Sequence, residues 1–255
     1  MTKEENQKAT YPGIVIRFDG ESKVGKTHAV MSACEFKGYK GEIYDLPAGT
    51  PMYFIDTERN ARGEYKRNFK GKKIFIKEVY IEDGLTLEVD TGLSFETVKE
   101  MCYNLTKKRG VVVIDSLTDF CEWLDDDMVL RKKKEGNFNP FDYGKRNLEI
   151  KNFLRKMKNM GMIVLYTAGI KPKYDKTGGG VWDFSSTGEF TAVVTRGTDY
   201  WCDLIIRVEK QLVEGKIVRK SIITGSRFED KTVNIKEVVS SNEFIDIIEK
   251  IKKYL

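Results

Sequence analysis

The segment Gly20-Glu21-Ser22-Lys23-Val24-Gly25-Lys26-Thr27 constrains this chain more than any other feature. It reads G-x-x-x-x-G-K-T, and it lies between an aliphatic run, Ile14-Val15-Ile16-Arg17-Phe18, and a stretch with helical character from Thr27 to about Phe36. The aliphatic run ends in Asp19-Gly20 and so reads as a buried strand entering a tight turn. In that setting the glycines let backbone N–H groups turn toward phosphates, and the start of the following helix adds its positive end. Lys26 is placed to reach the β and γ phosphates of a nucleotide, and the Thr27 hydroxyl to hold Mg²⁺. Gly20, Glu21, Ser22, Lys23, Val24, Gly25, Lys26, Thr27 and the adjoining His28 are the candidate nucleotide-binding residues, with ATP and Mg²⁺ as the expected cofactors.

Further strands and helices alternate along the chain. Met52-Tyr53-Phe54-Ile55-Asp56 and residues 73–81 read as strands, and Phe95, Val98, Cys102 and Leu105 repeat at helical spacing with Ser94 placed to cap. Val111-Val112-Val113-Ile114-Asp115 is almost purely aliphatic, the pattern of a parallel strand buried on both faces. A longer helix follows, in which Ile150, Phe153, Leu154 and Met157 form one apolar stripe that Gly161 stops. Ile163 to Thr167 is the next buried strand, 204–208 and 217–224 read as a strand pair, and a last helix turns Phe244, Ile248, Ile251 and Leu255 inward. This alternation implies an α/β fold with a mainly parallel central sheet flanked by helices. No repeat or low-complexity linker interrupts it, so the expected organisation is a polar N-terminal tail, 1–10, and a single domain, 11–255.

Two acidic positions complete the nucleotide site. Asp115 closes its aliphatic strand where a carboxylate can hold the Mg²⁺ ligands, alongside Thr27. Hydrolysis needs a group that orients the attacking water, and Phe54-Ile55-Asp56-Thr57-Glu58 offers Glu58 and, in competition, Asp56.

Composition excludes several other functions. Forty-four Lys and Arg against 39 Asp and Glu leave a net charge of +5, a mild bias that implies no polyanionic partner by itself. Cys34, Cys102, Cys121 and Cys202 lie far apart, and His28 is the single histidine, so zinc has no ligand set and the thiols read as reduced core residues. The first ten residues are polar, and nowhere do roughly 20 apolar residues run together as a membrane helix requires. A cytoplasmic location is expected, in the host cytoplasm were the source a virus.

Together these segments resemble the RecA/RadA-type recombinase core, and more closely the minimal RecA-like ATPases of phages, some of which act in single-strand annealing. The resemblance rests on Gly20 to Thr27, on Phe54-Ile55-Asp56-Thr57-Glu58, on Val113-Ile114-Asp115-Ser116 and on Asp142-Tyr143-Gly144, and covers roughly Pro12 to Asp230. It implies a RecA-like P-loop NTPase core and selects Glu58 over Asp56 as the water-activating residue. It also implies self-association into a ring or filament with a basic residue supplied in trans, for which Arg227, at the end of Ser221-Ile222-Ile223-Thr224-Gly225-Ser226-Arg227, is the candidate. Where recombinases carry an Asn-Gln pair this chain has Thr167-Ala168, so the γ-phosphate sensor is either missing or reduced to the Thr167 hydroxyl.

The resemblance further implies that single-stranded DNA binds two loops, one after the Asp115 strand and one after the Thr167 strand. The first holds Arg131, Lys132, Lys133, Lys134 and Phe138, and the second, 171–198, holds Trp182, Phe184 and Phe190 beside Gly178-Gly179-Gly180. Basic residues among aromatics suit non-specific single-strand binding. A solvated helix face is the other reading of the basic run, and a lid over the nucleotide is the other reading of the glycine-rich segment. The expected function is an ATPase acting on single-stranded DNA in recombination, annealing or repair. A nucleotide or small-molecule kinase and an ATP-controlled assembly module are the alternatives, the kinase ranking lower because 171–198 carries only Arg196 to clamp phosphates.

Overall fold

Four runs that the sequence marks as strands form the middle of one sheet. The computed structural model describes residues 13–40, 45–82, 89–105, 108–134, 142–176, 184–195, 197–226 and 237–252. In chain order, β1 (Ile14–Asp19) leads to α1 (Lys26–Ser32), and a short pair, β2 (Tyr39–Lys40) and β3 (Asp45–Leu46), precedes β4 (Met52–Asp56) and α2 (Ala61–Asn68). Then come β5 (Ile74–Glu78), α3 (Thr91–Asn104), β6 (Val111–Asp115), α4 (Leu117–Lys134), α5 (Asp142–Lys158) and β7 (Ile163–Ala168). An antiparallel pair, β8 (Ile170–Lys176) and β9 (Phe184–Ala192), stands outside the main sheet. β10 (Leu204–Val213), β11 (Lys216–Ser226), β12 (Val238–Val239) and α6 (Phe244–Ile251) follow.

The main sheet has the order β12-β11-β10-β1-β7-β6-β4-β5. From β10 to β5 every neighbouring pair is parallel, and β11 and β12 add an antiparallel edge. Successive side chains of a strand point to opposite faces, so β1 sends Ile14, Ile16 and Phe18 into one core and Val15 into another. α1 and α6 close the first core, and α3, α4 and α5 close the second, so the central strands are buried on both sides as their unbroken apolar runs imply. The α/β class with a mainly parallel sheet flanked by helices stands as expected.

Phe120 of α4 lies at the centre of the second core, stacked on Phe95 at 4.5 Å and tilted against Phe153 at 4.7 Å. Phe120→Ala is expected to cost about 3–5 kcal/mol, because lost transfer energy and a residual cavity add. Exposed Leu130→Ala on the same helix should stay within about 0.5 kcal/mol of the parent. Urea midpoints of the two variants check this; equal midpoints would remove the aromatic cluster from the account of stability.

Several expectations need correction. Ser94 lies inside α3, which Asp90 caps by accepting from the Leu93 N–H at 2.9 Å, while the Ser94 hydroxyl accepts from the Ile81 N–H at 3.2 Å. The longer helix after Asp115 is two helices, α4 and α5. Arg131, Lys132, Lys133 and Lys134 belong to the last turn of α4 and not to a loop, because the charged run continues the helix that Leu117 begins. The segment from Lys171 is no open loop where it is described: β8 and β9 pair across it, with Phe184 opposite Lys176 in the register. Phe138, Trp182, Arg196, Arg227 and Leu255 lie outside the described residues, as does the 1–10 tail. All four cysteines are buried free thiols. Among the described residues no helix is long and apolar enough to cross a membrane.

Candidate functional site

Because β1, β7, β6 and β4 run parallel, their C-terminal ends share one edge of the sheet. Register fixes the neighbours there: Phe18 faces Thr167, Asp19 faces Ala168, and Asp56 faces Asp115. Open α/β sheets place ligands outside such carboxyl ends. Here a cavity of about 790 Å³ opens at that edge, lined by Ser22, Lys23, Gly25, Lys26, Thr27 and His28 from the glycine segment, by Glu58, and by Ser116, Thr118 and Asp119 after β6.

The glycine segment is anchored to the sheet where the Gly20 N–H donates to the Ala168 carbonyl at 3.1 Å. Gly25, with φ of 106°, makes the left-handed turn into α1, a conformation that a side chain would strain. The Lys26 ammonium donates to the Gly20 and Glu21 carbonyls at 2.9 and 2.8 Å. Burial pulls its pKa below the ordinary lysine value, against the opposing attraction of Glu58, Asp115 and Asp19. A cation so placed lies among three carboxylates and beside the phosphate-loop backbone.

Asp115 is fully buried at the end of β6. One carboxylate oxygen accepts from the Thr27 hydroxyl at 2.8 Å and the other from the Thr167 hydroxyl. Burial first, then the neighbouring Glu58 carboxylate, pushes its pKa up to about 7 against those two hydrogen bonds. Thr27 and Asp115 form an oxygen-only pair that suits Mg²⁺. Among the described residues no three His, Cys, Asp or Glu side chains form a metal cage, so Mg²⁺ held here would depend on phosphate and water oxygens as well. The Thr167 hydroxyl is committed to Asp115.

Asp56 and Glu58 have opposite environments. The Asp56 carboxylate is buried and accepts from the Ala61 and Asn60 N–H groups at 2.9 and 3.3 Å, so it satisfies the start of α2. Burial raises its pKa, and those same N–H groups hold it back. Glu58, two residues on, is exposed in the cavity, where it accepts from the Asn60 side-chain amide at 3.3 Å. Asp119 is the carboxylate that sequence reading missed. It accepts from the Thr57 hydroxyl at 2.7 Å, and the same hydroxyl accepts from the Ser116 N–H at 2.7 Å, which locks the residue before Glu58 onto the start of α4. Ser116-Leu117-Thr118-Asp119 carries the spacing of a capping box, the signal that could have found it; the Asp119 N–H donates to the Ser116 hydroxyl at 3.2 Å.

His28 stands at the cavity wall but turns both ring nitrogens to carboxylates, Nδ1 to Glu64 at 2.7 Å and Nε2 to Glu243 at 2.6 Å. Burial lowers its pKa, but the two carboxylates outweigh this and raise it overall. His28 therefore joins α1, α2 and the start of α6, and its ring nitrogens are already engaged. Arg219 of β11 also lines the cavity, and no local pattern marks it, because only the β10–β11 hairpin carries it there. The strand then runs away from the site: its last residue, Ser226, pairs with Leu204, which pairs with Ile16 near the far end of β1.

No curated protein matches the sequence. A solved KaiC-like protein from the hyperthermophilic archaeon Pyrococcus horikoshii OT3 is 16% identical, covering 89% of this chain and 84% of that chain with a TM-score of 0.46. Residues 14–232 match the model of the AAA domain family. That match takes in the glycine segment, Glu58 and Asp115, and the protein accordingly belongs to the AAA domain family, as a P-loop ATPase.

Proposed function

We propose that this ATPase couples ATP hydrolysis to single-stranded DNA in recombination, annealing or repair. In this reading Lys26 and the loop N–H groups hold the β and γ phosphates, and Thr27 and Asp115 hold Mg²⁺, which supplies charge neutralisation when bound. Glu58 orients the attacking water and takes its proton as the γ-phosphoryl group passes from ADP to that water. Arg227 of a neighbouring copy, in a ring or filament, is the remaining candidate for the transition-state charge.

One observation carries the DNA reading. The β8–β9 pair leaves the site directly: Gly169, which lines the cavity and donates to the Thr118 hydroxyl at 3.0 Å, is followed at once by β8. The pair presents Lys171 and Tyr174, with Tyr174 57% exposed, and Phe190, over which the Arg207 guanidinium sits at 5.6 Å. Exposed rings beside cations, on a strand pair that begins one residue after the cleft-lining Gly169, suit base stacking along a phosphate backbone. The chemistry of a bound strand could reach the cleft through Gly169 and Thr118.

Fluorescence anisotropy with labelled single strands at several salt concentrations, run beside ATPase assays, tests this. Tyr174→Ala is expected to weaken binding by about 1–3 kcal/mol with little change in salt slope, because stacking releases no condensed ions. Lys171→Ala should instead flatten the slope. If the parent protein binds neither DNA nor RNA at low salt with ATP present, the DNA reading fails and a kinase or an assembly module takes its place.

A further inference from the structure

We infer that Arg219 contacts the phosphates of the bound nucleotide in cis, from the β10–β11 hairpin of the same chain. This rests on the ATP-binding reading of the cleft and adds a residue to it. Three observations converge. First, β10 is paired with β1 only as far as Asp19 opposite Arg207, and then continues to Val213, so the first half of β11 overhangs the glycine segment. Arg219, opposite Lys210, lies in that overhang.

Second, Arg219 packs against Gly25 of the loop. A Cβ on Gly25 would lie 2.9 Å from Arg219 Nε and 3.0 Å from the Asn242 amide nitrogen, so the Arg219 side chain lies directly against the loop at Gly25. The Asn242 amide donates to the Gly25 carbonyl at 3.2 Å and holds the loop from the C-terminal segment.

Third, Arg219 is exposed, lines the cleft and has no ion-pair partner among the described residues. Arg67, the other arginine on the cleft wall, is paired with Glu64 at 3.1 Å. A guanidinium carries several donors in a planar fork that matches phosphate oxygens, and it stays charged at any working pH. Placed against the phosphate loop with no carboxylate paired to it among the described residues, it has the nucleotide phosphates as its counter-charge.

The test is Mg-ATP affinity and turnover for the parent, Arg219→Ala, Arg219→Lys and Lys26→Ala. Arg219→Ala is expected to bind on the order of tenfold more weakly, the loss of one charged hydrogen-bonding contact. Arg219→Lys, a point charge without the fork, should fall between. Because the side chain is exposed, thermal melting without nucleotide should match the parent. Equal mixtures of Arg219→Ala and Lys26→Ala should recover no turnover, since each subunit keeps its own lesion. Recovery in the mixture would place the contact between subunits and overturn the cis assignment. Parent-like affinity and turnover in Arg219→Ala, with Lys26→Ala inactive, would overturn the inference while leaving the ATP reading standing. Absence of ATP binding by the parent itself would overturn both.

Discussion

Lys26→Ala is expected to abolish productive ATP binding. The ammonium is held at the loop by two carbonyls and feels the attraction of Glu58, Asp115 and Asp19. Alanine removes the contact to the β and γ phosphates and leaves those carboxylates facing a triphosphate. Removing one partner from a buried charged contact costs about 3–5 kcal/mol, enough to push binding out of the range of an ordinary titration. Calorimetric titration with Mg-ATP measures this, and an affinity within a few-fold of the parent would sink the assignment of the phosphate loop.

The second large effect separates binding from chemistry. Glu58→Gln should retain ATP and lose turnover by roughly 10²–10⁴-fold, the usual contribution of a positioned general base, since the amide keeps the shape and loses the proton acceptor. Asp56→Asn is the informative companion. Asp56 is buried against the N–H groups of Asn60 and Ala61, so its replacement should appear as lower stability, read by denaturant midpoint, before it appears in the rate. If Glu58→Gln turned over at the parent rate and Asp56→Asn were folded but inactive, the roles would be reversed. Rapid-quench measurement of phosphate release, with nucleotide binding measured separately, decides between the two.

These expectations draw on different amounts of sequence. The glycine segment and the four central strands could be read directly, because a strand buried on both faces must be continuously apolar and a phosphate-binding turn must place glycine where a side chain would strain or block it. Ile14–Asp19, Met52–Asp56, Val111–Asp115 and Ile163–Ala168 were each legible to within a residue or two for that reason. Asp115 was legible too, as the polar end of an apolar run. The segments after β6 and β7 carry weaker signals: a run of lysines suits a loop or a helix end alike, and a pair of strands can carry glycine and charge when neither face is buried.

What local pattern could not supply was the pairing of distant groups. That Asp56 caps a helix while Glu58 faces the cavity depends on how α2 leaves β4. That Thr167 serves Asp115 depends on β7 lying beside β6, a sheet order that chain order does not reveal. His28 sits next to Thr27 in sequence, yet Glu64 and Glu243 take both of its nitrogens, from elements 36 and 215 residues away. Arg219 enters the site only because β10 outruns β1 and folds back as β11. The central parallel strands, the glycine turn and the carboxylate that ends β6 are legible in the chain alone, because burial and backbone conformation act residue by residue. Tertiary structure alone decided which polar groups meet at the sheet edge, because hydrogen bonds and charges act through space between elements whose order in the sheet is set by packing.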